Sequence, residues 1–379
     1  MDIDLQKPAV VFWPVGNGDS VSIMVNDDHW MQVDLNHRSD AGPDSPYAAV
    51  IDELIKELPL RNGRPYLSVF ALTHPDQDHC LGFRDLLKRT SIGELWFSPR
   101  VFREYKCDLC DDAVAFRDEA MRRVRAMKRD ANAGSGNRIR LIGYDELLSD
   151  SDFSGFPLEK LTTPGNAITT LDGVQPPGVF RAFVHAPFKD DAAGERNETS
   201  LAFQIQLGRG TALGHIMLLG DHSYPVLRRI FEVSDATDLR WNVLLAPHHC
   251  SKSAMYWSDN SQEEALRQDI LDRLGRNGAA SRYIVASSEP IPSSNSPGDN
   301  PPHAKAKRRY LEILQDGNFL CTQEDGANKK ALPICFEVTD YGLTYKASAE
   351  KLVHVNPTQA ALAPFVGRDR APVKLQRYG

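Results

Sequence analysis

Four side chains able to bind a metal fall within six residues in the run His74-Pro-Asp76-Gln-Asp78-His79. Imidazole and carboxylate together suit zinc, manganese or iron, and a short loop can fold such a set around two adjacent ions. A polar loop that only caps the following helix would account for one acidic residue, because helix N-termini favour Asp. It would leave the other three unexplained. Further metal-binding residue types close apolar runs later in the chain. His185 follows 180–184, Asp221 follows 216–219 and Gly220, and the pair His248-His249 follows 241–246 and Pro247. His37, His215, His222 and His303 are the remaining histidines of interest.

Ligands need rigid supports, and the surrounding pattern supplies them. The chain opens as a β-meander, with β-branched and aromatic runs at 10–15, 20–25 and 30–35 separated by turns such as Gly16-Asn17-Gly18-Asp19. Ile51, Leu54, Ile55 and Leu58 follow the one-face spacing of a helix over 47–58. The apolar strand Leu67-Ser-Val-Phe-Ala-Leu-Thr73 then runs straight into His74, and a helix over 81–88 and a strand over 94–98 follow. From about 100 to 166 the composition shifts toward charge and loop residues, which reads as an insertion over one face of the fold. Its helix near 112–129 carries Arg117, Arg122, Arg123, Arg125 and Arg129, either a solvated face or a surface for an anionic substrate. The second half repeats the logic of a strand followed by a polar cluster, with helices near 224–231, 262–274 and 304–315 and a terminal hairpin at Tyr341-Gly342.

Strands alternating with helices in both halves predict two sheets packed face to face with helices outside, a four-layer α/β arrangement. A purely parallel doubly wound sheet is the alternative. The expected organisation is one domain over 1–350, containing the charged helical insertion at about 100–166, and a C-terminal tail over 351–379.

Composition narrows the function. A formal net charge of −7 over 379 residues argues against a protein that coats nucleic acid non-specifically, since that binding comes from Lys and Arg neutralising phosphates. It leaves room for local basic stretches, of which 122–129 and Lys305-Ala-Lys-Arg-Arg309 are two. No window holds about 18 uninterrupted apolar residues, and the N-terminus lacks the pattern of a secretory signal, so a soluble cytoplasmic protein without a membrane partner is expected. The six cysteines do not form a secreted framework. Cys107-Asp-Leu-Cys110 is either a zinc knuckle, for which two further ligands are missing nearby, or a loop with two reduced thiols.

The polar loop resembles the signature of the metallo-β-lactamase superfamily, in the His-x-Asp-x-Asp-His form of the hydrolase domain of the DNA-uptake competence protein. Other segments agree in order: Val15-Gly-Asn-Gly-Asp19-Ser and Gln32-Val-Asp34 in the first hairpin, His185-Ala-Pro, Asn197-Glu-Thr-Ser200-Leu, Leu219-Gly220-Asp221, and His248-His249-Cys250-Ser251-Lys252, where Cys250 stands in place of a glycine. The likeness spans about 8–315. It implies an αββα sandwich in which His74, Asp76 and His185 hold one divalent ion and Asp78, His79 and one of His248 and His249 hold a second, with Asp221 bridging. Asp78 and the histidine pair are then the catalytic candidates. Asp34 would support the histidines from behind, Lys252 is either a phosphate contact or a surface lysine, and His303 is better read as the residue that begins a helix.

Two ions about 3.5 to 4 Å apart can lower the pKa of a shared water and stabilise both attacking and leaving oxygens. The expected activity is therefore hydrolysis by a dinuclear site, zinc first and manganese or iron as alternatives. The expected substrate is an anionic phosphodiester in a nucleic acid, a nucleotide or a phosphorylated small molecule. Hydrolysis of a carboxylic ester, thioester or lactam on the same ions is the second reading. A non-catalytic, metal-stabilised binding module is the third.

Overall fold

Strand residues sort by parity between two buried faces. In the strand Arg64–Leu72, Val69 and Ala71 enter one apolar cluster while Phe70 and Leu72 enter another on the opposite face, the period-two signature of a sheet covered on both sides. The computed structural model describes residues 5–103, 108–144, 149, 151–189, 196–258, 263–314, 318–324 and 332–347. Two large mixed sheets dominate it. The first runs, in spatial order, Gly342–Lys346, Ile334–Thr339, Ala9–Phe12, Val21–Met24, Trp30–Val33, Arg64–Leu72, Ser91–Phe97, Arg138–Ile142 and Leu161–Thr162. The second runs Ala167–Ile168, Val179–Ala186, Ala202–Arg209, Ala212–Leu218, Trp241–Leu245, Gly278–Ala286 and Phe319–Cys321.

One cluster joins the two sheets, with Val10, Phe12, Met31, Val69 and Trp96 from the first against Phe203, Ile205, Ile216 and Val243 from the second. A second cluster packs the helices Val50–Glu57, Phe83–Arg89 and Asp111–Arg129 on the outer face of the first sheet. A third packs Tyr224–Val233, Gln268–Asn277 and Ala304–Ile313 outside the second. The four-layer α/β sandwich expected from the sequence is the architecture found. The described part of Met1–Lys346 is one compact unit, and the tail over 351–379 lies outside the described residues. Among the described residues no helix is long and apolar enough to cross a membrane.

Each sheet changes from antiparallel to parallel pairing once along its order. In the first the change falls between Trp30–Val33 and Arg64–Leu72, and in the second between Ala212–Leu218 and Trp241–Leu245. The carboxyl ends of these four strands lead into Asp34, His74, Asp221 and His248. Such switch points leave a crevice beyond the strand ends where ligands bind in open α/β sheets.

The segment 100–166 is not a layer laid over the sandwich. Its strand Arg138–Ile142 pairs in parallel with Ser91–Phe97 and extends the first sheet, and Leu161–Thr162 extends it further. Its helix Asp111–Arg129 buries Ala113, Phe116, Ala120, Val124 and Met127, which recur at three- and four-residue steps and form one face. The arginines hid this stripe in a composition count. Arg123 is itself buried, donating to the carbonyls of Ile92 and Gly93 and pairing with Glu119 at 2.7 Å, and Arg122 is spent on Glu119, Asn137 and Gly136.

Phe116 meets the rings of Phe70, Phe83 and Phe97 at 4.9 to 5.9 Å between centroids. Phe116→Ala is therefore expected to cost about 3–5 kcal/mol in urea-induced unfolding. A change within about 0.5 kcal/mol, the range of an exposed site, would return this helix to the status of an appendage.

Candidate metal centre

Asp221 is buried at the end of the second sheet, and four imidazoles converge on it. Its Oδ2 lies 3.3 Å from His79 Nε2, 3.5 Å from His249 Nε2, and 3.8 Å from both His74 Nε2 and His248 Nε2. Asp78 Oδ2 stands 3.2 Å from His249 Nε2, and Asp76 Oδ2 stands 3.5 Å from His74 Nε2. Ligand atoms of His74, His79 and Asp221 lie within 4.8 Å of one another, and so do those of Asp78, His79 and His249. The loop, Asp221 and the histidine pair singled out in the sequence are thus brought together.

The Nε2 atoms of His74, His79 and His249 and the Oδ1 of Asp221 are buried without a hydrogen-bond partner, an arrangement that buried polar atoms rarely tolerate. Each of the three rings is tethered through its other nitrogen. His79 Nδ1 lies 2.8 Å from Asp34 Oδ2, His74 Nδ1 lies 3.0 Å from Thr73 Oγ1 and 3.2 Å from Ser200 Oγ, and His249 Nδ1 donates to the Ser287 carbonyl at 3.1 Å. Tethering one ring nitrogen fixes the lone pair of the other, which is how metal-binding histidines are held. The donor set and its orphaned atoms fit divalent metal.

Asp34 organises the first-sheet half. It adopts φ +55°, accepts from Thr73 N at 2.7 Å and from Thr73 Oγ1 at 2.6 Å, and so leaves that hydroxyl to accept from His74. This is the supporting position anticipated for it. The second-sheet half is a turn in which His248, His249 and Cys250 all take left-handed φ of +49°, +51° and +66°. Such φ values cost non-glycine residues about 1–3 kcal/mol each, so the glycine-like conformation survives with Cys250 in place. His303 steadies this turn: its backbone N–H donates to the Cys250 carbonyl at 3.1 Å, and its Nδ1 accepts from Lys252 N at 3.2 Å. It also occupies the N-cap position of Ala304–Ile313. Lys252 pairs with Glu264 at 2.6 Å.

His185 is not brought to the cluster. The strand Val179–Ala186 sends Ala182 and Val184 toward the inter-sheet core, and at the register shift between Val184 and Ala186 the His185 ring stays beside that of Phe183, 4.8 Å between centroids, on the side of the outer helices. There His185 Nδ1 meets Ser234 Oγ at 2.9 Å and Nε2 meets the Asp238 carbonyl at 3.1 Å, beside a cavity of ≈ 540 Å³ that Phe188 and Arg229 also line. With both nitrogens engaged and burial pushing its pKa down to about 4, it is a neutral structural histidine. His222, next to Asp221, is fully buried and neutral, its pKa lowered by burial to about 3. His37 Nδ1 accepts from Ile51 N at 3.3 Å, and His215 is a buried strand residue. Cys107 lies outside the described residues, so the knuckle reading rests on Cys110 alone.

Five further residues contribute, of which Asp19 and Ser200 stand in the motifs noted above and Thr73, Ser287 and Arg196 stand in none. Thr73, Ser200 and Ser287 act through hydroxyl or carbonyl groups that any loop could hold. Asp19 lies 3.5 Å from His249 Nδ1, and Arg196 pairs with Asp76 at 2.8 Å. Asp19 stood in the Gly-x-Gly-Asp turn, whose tight geometry was the available clue.

The charges are mutually dependent. Burial opposes ionisation of Asp221, but the positive charges of His79 and His249 outweigh it and hold the carboxyl well below the usual range. Burial likewise disfavours the imidazolium of His79, which Asp221, Asp78 and Asp34 raise well above 6.5, and that of His249, which Asp221 and Asp19 raise. His248 is lowered, chiefly by burial.

No family model matches the chain, and no curated protein matches it. Among solved structures it is similar to Rm3 metallo-beta-lactamase, with 14% identity over 66% of this chain and 81% of that one at a TM-score of 0.33. It is also similar to a diphosphatase of the PhnP family, with 11% identity over 86% of this chain and 97% of that one at a TM-score of 0.33. The likeness to the competence-protein domain therefore rests on motifs alone.

Metal must displace the protons that His79 and His249 hold above 6.5. Binding at neutral pH should release protons, and affinity should rise with pH. Calorimetric titration of the metal-stripped protein in two buffers of different ionisation enthalpy measures this, and equal apparent enthalpies would contradict it. His185→Ala is expected to leave metal affinity within about twofold, whereas His249→Ala should lose more than the about 10- to 100-fold typical of removing a supporting residue.

Proposed function

We propose that the chain is a metal-dependent hydrolase of phosphodiesters, acting on a nucleotide or another small phosphorylated substrate. The observation that carries the hydrolase reading is the convergence of four imidazole Nε2 atoms on one buried Asp221 oxygen, with Asp76 and Asp78 beside them. His74, Asp76 and Asp221 would hold one divalent ion, and Asp78, His79, His249 and Asp221 a second. Such ions lower the pKa of a bound water and stabilise charge on the oxygens of an in-line displacement.

The chain's own residues supply the rest. His248 is the most exposed of the four imidazoles, at 26% against 0–3% for the others. Burial keeps it neutral, so it can give a hydrogen bond to a phosphoryl or leaving oxygen at the mouth of the site. Arg196 holds Asp76 in place and sets a partly exposed cation beside the entrance, which suits an anionic substrate. Thr73, Ser200, Asp34 and Ser287 hold the histidine rings in one orientation, so the donors need no rearrangement during reaction.

A small substrate is favoured over a long duplex because several cations of the basic stretches are already paired with carboxylates. Lys305, Lys307 and Arg309 pair with Glu264, Glu324 and Glu312, and Arg122 and Arg123 pair with Glu119. Acyl hydrolysis on the same ions is the competing reading, and zinc, manganese and iron all suit the donor set.

The test compares bis-p-nitrophenyl phosphate with p-nitrophenyl acyl esters, with zinc or manganese supplied. Metal-dependent phosphodiester cleavage is expected, with Asp221→Ala lowering kcat/KM by about 100- to 1,000-fold or more. Acyl hydrolysis without phosphodiester cleavage would overturn the substrate assignment. Activity unchanged in Asp221→Ala would overturn the site.

A further inference from the structure

We propose that Cys80 and Cys110 form an oxidation site, a dithiol that peroxides convert to a disulfide against the back of the metal loop. Their sulfurs lie 3.6 Å apart although thirty residues separate them in the chain. The closeness is built in. Asp112 accepts from the backbone N–H groups of Gly82 and Arg84, both at 2.9 Å, which pins the start of Asp111–Arg129 to the residues just past Cys80. The roles of the two thiols are unequal. Cys80 is fully buried, while Cys110 is partly open to solvent. Cys110 also occupies the N-cap of a 19-residue helix, where its sulfur accepts from Ala113 N at 3.5 Å. The hydrogen bond from Cys80, against the effect of burial and with the helix amides, brings its pKa down to about 6. An accessible low-pKa cysteine beside a resolving partner is the arrangement of thiols that respond to peroxide.

The chemistry balances with peroxide as the named oxidant. The Cys110 thiolate attacks one peroxide oxygen, an S–O bond forms, the O–O bond breaks, and hydroxide leaves. The Cys80 sulfur then attacks Cys110. An S–S bond forms, the S–O bond breaks, and the hydroxyl departs with the Cys80 proton as water. Two thiols lose two electrons and the peroxide is reduced to water.

A disulfide at about 2.05 Å requires the sulfurs to close by about 1.5 Å. Cys80 directly follows His79 and its sulfur lies 3.1 Å from the Asp76 carbonyl oxygen, so the closure pulls on the short helix Gln77–Cys80 that bears Asp78 and His79. Oxidation should weaken metal binding by about tenfold or more, the scale of disturbing a supporting contact.

The test treats the metal-loaded full chain with stoichiometric hydrogen peroxide, blocks remaining thiols with N-ethylmaleimide, and maps the peptides without reduction. A Cys80–Cys110 crosslink reversed by dithiothreitol is expected. In Cys110→Ser, Cys80 should stay alkylatable after denaturation. The proposal is overturned if Cys110 advances to sulfinic acid with Cys80 still reduced, if it pairs with Cys107 instead, or if both thiols resist alkylation until a chelator is added. The crosslink is read in the wild-type chain, so a variant that fails to fold does not spoil the test. It is also read independently of any hydrolytic activity.

Discussion

A carboxylate buried among imidazoles sets the terms for everything around it. Asp221 is walled in by protein, and an ion in such a place costs several kcal/mol unless positive charge answers it. Protons on His79 and His249 answer it in the metal-free protein, and divalent ions would answer it in their place. The surrounding polar contacts have one effect in common: they keep the answering groups from turning away. Asp34 fixes His79, Thr73 and Ser200 fix His74, and the Ser287 carbonyl fixes His249.

The sandwich makes that concentration of charge possible. Helices cover both outer faces, and an apolar cluster from Val10 to Leu343 fills the space between the sheets, so the site's polar groups gather at the rim where strands end. Four of those ends coincide with the changes of strand direction in the two sheets, and each delivers a polar residue to the same place. A backbone hydrogen bond from Leu201 N to Thr73 O, at 3.0 Å, ties the two sheets together beside it.

Much of this was legible in the chain. The run His74 to His79 announces metal by residue type and spacing, and its position after an apolar strand announces a rigid support. The helix–strand alternation announced the layers. His185 shows where such reading stops, because a strand residue's face depends on register, and the register shift between Val184 and Ala186 leaves it packed against Ser234 and Asp238. The segment 100–166 shows a second limit. Its arginines dominate a composition count, yet the stripe from Ala113 to Met127 decides where the helix lies. Thr73 and Ser200 show a third, since a hydroxyl gains its role only from neighbours that the fold brings near.

The candidate ligands come from both halves of the molecule. His74, Asp76, Asp78 and His79 follow the first sheet, while Asp221 and His249 follow the second. An ion held by both sets is a rivet through a seam that is otherwise closed by hydrophobic packing and by hydrogen bonds such as those from Leu201 N to Thr73 O and between Ser200 and His74. Ligand held only by the folded chain adds about 2.7 kcal/mol at a hundredfold excess over its dissociation constant. The melting temperature of this protein would then serve as a gauge of the metal supply around it, with the seam between the sheets as its sensing element.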